Sequence, residues 1–67
     1  MTSNQASVRA IEFAITELNA KETEIKEVSS WPGSETVFLV LVSFKQEVWF
    51  DGEFAYDKEI SETIAIS

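Results

Sequence analysis

The chain has 67 residues, of which 45% are hydrophobic, and it carries a net charge of −7 with no His and no Cys. This length suits one small domain over 1–67, and the apolar share is ordinary for a folded one. The missing residue types exclude disulfides, argue against structural zinc, and remove the usual general base and the most nucleophilic side chain. We therefore expect a non-enzymatic domain without a metal or cofactor.

The charge is unevenly distributed along the chain. Residues 1–21 are neutral, whereas residues 22–67 carry ten acidic residues against three lysines. Such a surface repels nucleic acid and the anionic leaflet of a membrane, and it favours a basic protein partner. Solubility alone is the alternative explanation. With no signal-peptide pattern and no apolar run near the ~20 residues that span a bilayer, we expect a soluble, cytoplasmic protein.

The first predicted element is an amphipathic helix over about 3–20. Thr2 and Gln5 match a capping box at its start, and Asn19 suits its end because asparagine tolerates the left-handed conformation. Apolar residues recur between them at three- and four-residue spacing, which is typical of one helix face. That apolar stripe consists of Val8, Ile11, Ala14, Ile15 and Leu18.

An edge strand is predicted next, over about 23–31, with a continuation of the helix as the alternative. As a strand it places Ile25 and Val28 on opposite faces unless a bulge intervenes. Trp31-Pro32-Gly33-Ser34 then forms a type II turn. The stretch that follows, 36–44, is apolar on both alternating faces, which is typical of a strand covered on both sides. It predicts the centre of the sheet, within a strand over about 35–50.

Asp51-Gly52 predicts a tight hairpin turn that joins 35–50 to a third strand over 53–67. A regular ladder from this turn opposes Trp49 to Phe54 and, further out, Leu39 to Ile64. Strands this long usually bend or bulge, and we expect the bend at 45–47. The alternative for 57–63 is a short C-terminal helix. The regular ladder brings three isoleucines to the face of Val37, Leu39 and Leu41, namely Ile60, Ile64 and Ile66.

These elements predict an α+β fold, in which one N-terminal helix packs on a three-stranded antiparallel sheet. We expect the helix to cover the face of Val37, Leu39 and Leu41 through Val8, Ile11, Ile15 and Leu18. The opposite strip would then be bare, and a bare apolar strip marks an interface, here between two copies of the chain. In the alternative arrangement the helix lies on the other side and a monomer buries the strip. The predicted dimer-interface residues are Phe38, Val40, Val42 and Phe44.

Aromatic residues cluster around the Asp51-Gly52 turn, where Tyr56 is expected diagonal to Trp49. They can simply stabilise the hairpin tip, or they can anchor a partner, since Trp and Tyr dominate interface hot spots. Carboxylates flank them, which suits a basic protein surface. The predicted partner-binding residues are Glu47, Trp49, Asp51, Glu53, Phe54, Tyr56 and Asp57.

Two functions follow from this pattern. The first is an acidic protein-binding module, in one version an inhibitor that occupies a basic, nucleic-acid-binding site by imitating the charge of nucleic acid. Small phage-encoded antagonists of host nucleases, anti-CRISPR proteins among them, offer an analogy of size and charge. The alternative is a structural or assembly protein that acts as a homodimer or as a small subunit of a larger complex.

Overall fold

A computed structural model describes all 67 residues, as one helix packed on a three-stranded antiparallel sheet with strand order β1-β2-β3. The predicted α+β fold and the central position of the apolar strand are confirmed. Residues 57–63 are strand, so the alternative of a C-terminal helix is wrong. The helix falls short of the length and hydropathy needed to cross a membrane. The elements are α1 Ser3–Glu17, β1 Lys21–Ser30, β2 Phe38–Phe50 and β3 Glu53–Ile66.

Both ends of α1 follow from local chemistry. At the start, the Thr2 side chain accepts a hydrogen bond from the Gln5 N–H at 3.2 Å, and the Gln5 side chain accepts one from the Thr2 N–H at 2.8 Å. This capping box satisfies two backbone donors that the first turn leaves free. At the other end Asn19 has a φ of 51°, the left-handed conformation that stops a helix. The helix ends at Glu17, slightly earlier than predicted.

The face of α1 that contacts the sheet consists of small side chains. Ala6, Ala10 and Ala14 are completely buried, and their four-residue spacing places them in one row along the helix. Alanine side chains let the helix backbone approach the sheet closely. The predicted contact face is wrong for Val8 and Ile15, which are 54% and 52% exposed on the outer side, whereas Leu18 packs against the core as predicted.

Two irregularities shape β1. A register shift between Ile25 and Glu27 leaves Lys26 unpaired, so that Ile25 pairs with Val42 and Val28 with Val40. The shift places Ile25 and Val28 on the same face, which is the effect that a bulge was predicted to have. A second shift follows Lys21.

The two turns match their sequences. In the first, the Ser34 N–H donates to the Trp31 carbonyl at 3.1 Å and Gly33 has a φ of 83°, as a type II turn requires. In the second, Asp51 and Gly52 have φ values of 53° and 80°. Two successive positive values are the signature of the type I′ hairpin, whose twist matches that of the strands.

A single bulge sets the register of β2 on β3. Trp49 pairs with Phe54 as predicted, but Val48 then pairs with Tyr56, so that Ala55 is an extra residue in β3. Beyond this point Val40, not Leu39, is opposite Ile64. A shift of one residue moves every following side chain to the other face of the sheet. The three isoleucines of β3 therefore join the strip that was predicted to be bare.

That strip is the centre of the core. Val40 and Val42 are 0% exposed and Phe44 is 2% exposed, under the alanines of α1, while Phe38 is half-buried at the margin. The prediction that these four residues form an open dimer interface is wrong, because the bulge moved the isoleucines and the helix covers the face that carries them. The face of Leu39 and Leu41 is free of helix. The buried core consists of Ala6, Ala10, Ala14, Ala20, Val40, Val42, Phe44 and Ile64.

Candidate functional site: the hairpin arm

The β2–β3 hairpin extends beyond the rest of the sheet. Pairing between β1 and β2 stops at Lys45, whereas β2 and β3 remain paired with each other out to the turn. Residues 46–58 thus form a two-stranded arm, and the molecule measures 46 × 16 × 15 Å. A ribbon of two strands is only marginally stable in water by itself, so contacts at the base of the arm determine its order.

One face of the arm collects four of the predicted partner-binding residues. Trp49 and Phe54 meet edge to face, with ring centroids 5.8 Å apart and planes at 72°, a preferred aromatic geometry. The indole Nε1 of Trp49 donates to Glu47 Oε1 at 3.3 Å. Glu47 is directly opposite Asp57, which places two carboxylates side by side at the base.

Lys21 lies between these carboxylates and the aromatic pair. Its Nζ is 2.8 Å from Asp57 Oδ1 and 3.1 Å from Glu47 Oε2, and 5.9 Å from the centroid of the Phe54 ring. The hydrogen bonds to Asp57 and then to Glu47 raise the pKa of Lys21 above its ordinary value of 10.5. Lys21, the first residue of β1, thus contacts both strands of the arm.

The sequence pattern did not indicate this role of Lys21. The regular ladder, without the bulge at Ala55, opposes Glu47 to Tyr56 and so hides the pairing of Glu47 with Asp57. Two carboxylates directly opposite each other on antiparallel strands repel unless a cation lies between them. With the true register, that repulsion is the signal that would have indicated a lysine at this position.

A second contact holds the base of the arm to the helix. The side-chain amide of Gln46 donates to the Leu18 carbonyl, one of the carbonyls that the end of α1 leaves without a helical partner. A shallow open groove lies at this junction. It is lined by Leu18, Asn19, Lys21, Gln46, Glu47 and Trp49.

The remaining predicted residues lie elsewhere on the arm. Tyr56 pairs with Val48 and therefore lies on the opposite face from Trp49, so the predicted diagonal contact between them is wrong. Glu53 is beside the turn, opposite Phe50, and Asp51 is within the turn. Phe50 is 79% exposed, the largest value among the large hydrophobic residues. The tip is therefore aromatic and acidic on both faces.

The exposed groups of the arm are aromatic and acidic. The arm offers aromatic rings at fixed angles, with carboxylates beside them, on a projecting ribbon. No group of three or more His, Cys, Asp or Glu residues is placed to hold a metal ion. No protein-family model, curated protein or solved structure gives a significant match to the chain.

Proposed function

We propose that this chain is a non-enzymatic protein-binding module that docks its hairpin arm onto a basic surface of a partner protein. The observation that carries the proposal is the arm itself, which projects beyond β1 and exposes four large aromatic side chains among four carboxylates. Folded monomers rarely expose such a cluster without a partner for it. The aromatic residues are Trp49, Phe50, Phe54 and Tyr56.

The arm is suited to bind because little order has to be gained on docking. Trp49 is already held by Phe54 and Glu47, and Lys21 holds the two strands at the base. A preorganised surface loses less conformational entropy when a partner binds. Aromatic anchors of this kind commonly supply most of the binding energy of an interface.

The charge of the arm indicates the chemistry of the partner. Residues 46–58 hold four carboxylates and one lysine, and the whole chain carries −7. Arginine side chains can stack on exposed aromatic rings and pair with neighbouring carboxylates at once. Nucleic-acid-binding proteins present surfaces rich in arginine and lysine. These basic surfaces also attract an acidic ribbon through long-range electrostatic steering. We therefore favour an inhibitor that occupies a nucleic-acid-binding site of a cytoplasmic protein.

The test is capture of partners from source-organism lysate, with three immobilised versions of the chain. Wild type and Trp31→Ala, which removes an exposed tryptophan outside the arm, should retain the same basic protein. Trp49→Ala should weaken its binding at least about tenfold, as loss of an anchor does. Affinity for the captured protein should fall steeply as salt is added, and the chain should compete with nucleic acid for it.

Two results would count against the proposal. If Trp49→Ala and Trp31→Ala retain the same proteins equally well, the arm is not the binding site. If affinity is the same at low and high ionic strength, the interaction does not depend on the acidic charge.

The alternative function, assembly through self-association, is favoured by a different feature of the molecule. The outer edge of β3 has no pairing strand. This edge does not involve the strip that was predicted to form the dimer interface.

A further inference from the structure

The two outer edges of the sheet differ. β1 is interrupted twice by register shifts in ten residues, and such irregularities protect an edge against pairing with another strand. In β3 the ladder is regular from Tyr56 to Ile66, with no Pro, no Gly and no bulge. Its outward backbone N–H and C=O groups lack a pairing strand. They form a template for one more antiparallel strand.

Among the charges of β3 that form no ion pair are one lysine and, four residues further on, a glutamate. Lys58 is the only lysine of the chain without a carboxylate within 4.0 Å, since the other three each form an ion pair. Glu62 has no cation within that distance. Lys58 and Glu62 lie on the same face of β3, opposite Gln46 and Val42 of β2.

We propose that β3 pairs antiparallel with β3 of a second copy, about a two-fold axis at Ile60. In this register Lys58 is opposite Glu62 of the second copy, and Glu62 is opposite its Lys58. Opposite charges directly across antiparallel strands stabilise the pair. An interface with two-fold symmetry makes each such contact twice.

Neighbouring registers lose this complementarity. Shifting the register by two residues in one direction places Glu59 opposite Glu59 of the second copy. Shifting it by two residues in the other direction places Lys58 opposite Ile64 of the second copy. A shift of one residue places Glu62 opposite Asp57 or Glu59. Like charges directly across a ladder destabilise it, so the sequence of β3 selects the register about Ile60.

The same register fills a groove between α1 and β3. This apolar groove is lined chiefly by Phe13, Leu18, Ile64 and Ile66, and Phe13 is 43% exposed. The strand pairing places Tyr56 of the second copy opposite Ile64, at this groove. The Tyr56 side chain, which is 56% exposed in the single chain, thereby gains an apolar neighbour.

The resulting dimer has one continuous six-stranded sheet with both helices on the same side. The two arms lie at opposite ends of the sheet, and the face of Trp49 and Phe54 is opposite to the one that carries Tyr56. The dimer therefore leaves both copies of that face open. The inference stands independently of the function proposed for the arm.

Charge exchange within β3 tests the proposal by sedimentation equilibrium over a range of protein concentrations. Lys58→Glu and Glu62→Lys should each raise the dimer dissociation constant about tenfold or more, because each turns two attractive contacts into two repulsive ones. The double exchange restores both contacts and should return the constant to within about threefold of wild type. Circular dichroism on each variant establishes that it remains folded.

Glu62→Lys is the most informative of these variants. It lowers the net charge of each copy from −7 to −5, which should favour any non-specific association by reducing repulsion. Our proposal expects weaker association instead. Glu35→Lys, in the loop between β1 and β2, makes the same change of charge away from the edge and should leave the dimer intact or strengthen it.

A cysteine at the two-fold axis gives a second measurement. Ile60→Cys should form a disulfide between two copies under mild oxidation, since residues directly opposite on antiparallel strands are close enough for one. The chain has no other cysteine to compete. Thr23→Cys, on the edge of β1, is the matched control and should remain reduced.

The proposal is overturned if the wild-type chain stays monomeric over the whole concentration range. It is also overturned if a dimer forms that ignores the charge exchanges and does not cross-link at position 60. Dissociation of such a dimer by Val8→Ser or Ile15→Ser would assign the interface to the exposed side of α1 instead.

Discussion

At the scale of single residues, we expect Lys21 to control the order of the arm. It contacts Glu47, Asp57 and the ring of Phe54. An isolated ion pair at a surface adds little to stability. Here one ammonium group lies between two opposed carboxylates, so we expect its removal to have a larger local effect than the loss of a single pair.

Lys21→Gln should therefore loosen the arm while the core stays folded. The two carboxylates at the base would then repel each other, and Phe54 would lose its cation. Nuclear magnetic resonance should detect faster amide exchange confined to residues 46–58. Lys26→Gln is the matched control, because Lys26 pairs only with the exposed Glu24 and should leave the arm unchanged. Uniform exchange across the arm and the core of Lys21→Gln would contradict this role.

Alkaline pH should have the same effect on the wild type. The pKa of Lys21 is raised in the folded chain, so its contribution is fully present below the ordinary value of 10.5 and is lost as the pH rises through the higher folded value. Arm order should thus be constant near neutrality and decrease only above that range. The Lys21→Gln variant is the control, because it lacks the transition of the lysine while every other effect of alkali is common to both chains.

At the scale of the elements, the helix contacts the sheet through its smallest residues. Hydrophobic periodicity favoured the row of Val8, Ile11 and Ile15, since large apolar side chains dominate any such pattern. The structure buries Ala14 of that stripe together with Ala6 and Ala10, which the stripe did not include, against large side chains of β2. Alanine is the best helix former and takes little room, so the bulk at this contact comes from the sheet.

Two substitutions in α1 should therefore have effects opposite to those that periodicity suggests. Ala10→Leu should destabilise the fold by about 1–3 kcal/mol, because a fully buried alanine has no space for three more carbons. Ile15→Ser removes a larger apolar side chain but should cost less than about 1 kcal/mol, since Ile15 is half-exposed. Urea unfolding gives both free energies. The reverse order would place the core on the predicted stripe.

The β2–β3 hairpin contains both a feature that the sequence predicts and one that it does not. Turn chemistry identified Asp51-Gly52 and the pairing of Trp49 with Phe54, because two positive φ values restrict the residue types that fit. No comparable signal marks Ala55 as the extra residue of a bulge. That one residue moved Ile64 from the face of Leu39 to the face of Val40, and so changed the helix side and the fate of the predicted dimer strip. The turn and the pairing next to it could thus be predicted from the sequence, whereas the register further along the strands could not.

At the scale of the whole molecule, the chain combines a small core with a large net charge. Eight residues are buried, and chains of this size hide only about 60% of the surface that they expose when unfolded. All four lysines and the one arginine cannot balance twelve acidic residues. Like charges therefore repel one another in the compact chain, which lowers its stability.

Added salt should for this reason stabilise the folded chain. Raising the ionic strength from about 0.01 to 1 M shortens the screening length from about 30 to 3 Å, which screens the net repulsion across the molecule. A gain of about 1 kcal/mol would raise the melting temperature of a domain of this size by about 4–8 °C. Calorimetry in sodium chloride measures the shift at a dilute, fixed chain concentration, so that association does not contribute.

A melting temperature that falls with salt would mean that the exposed ion pairs at Lys21, Lys26 and Lys45 outweigh the repulsion. Glu35→Gln separates the two effects, since it removes one negative charge that no ion pair uses and should raise the melting temperature most at low salt.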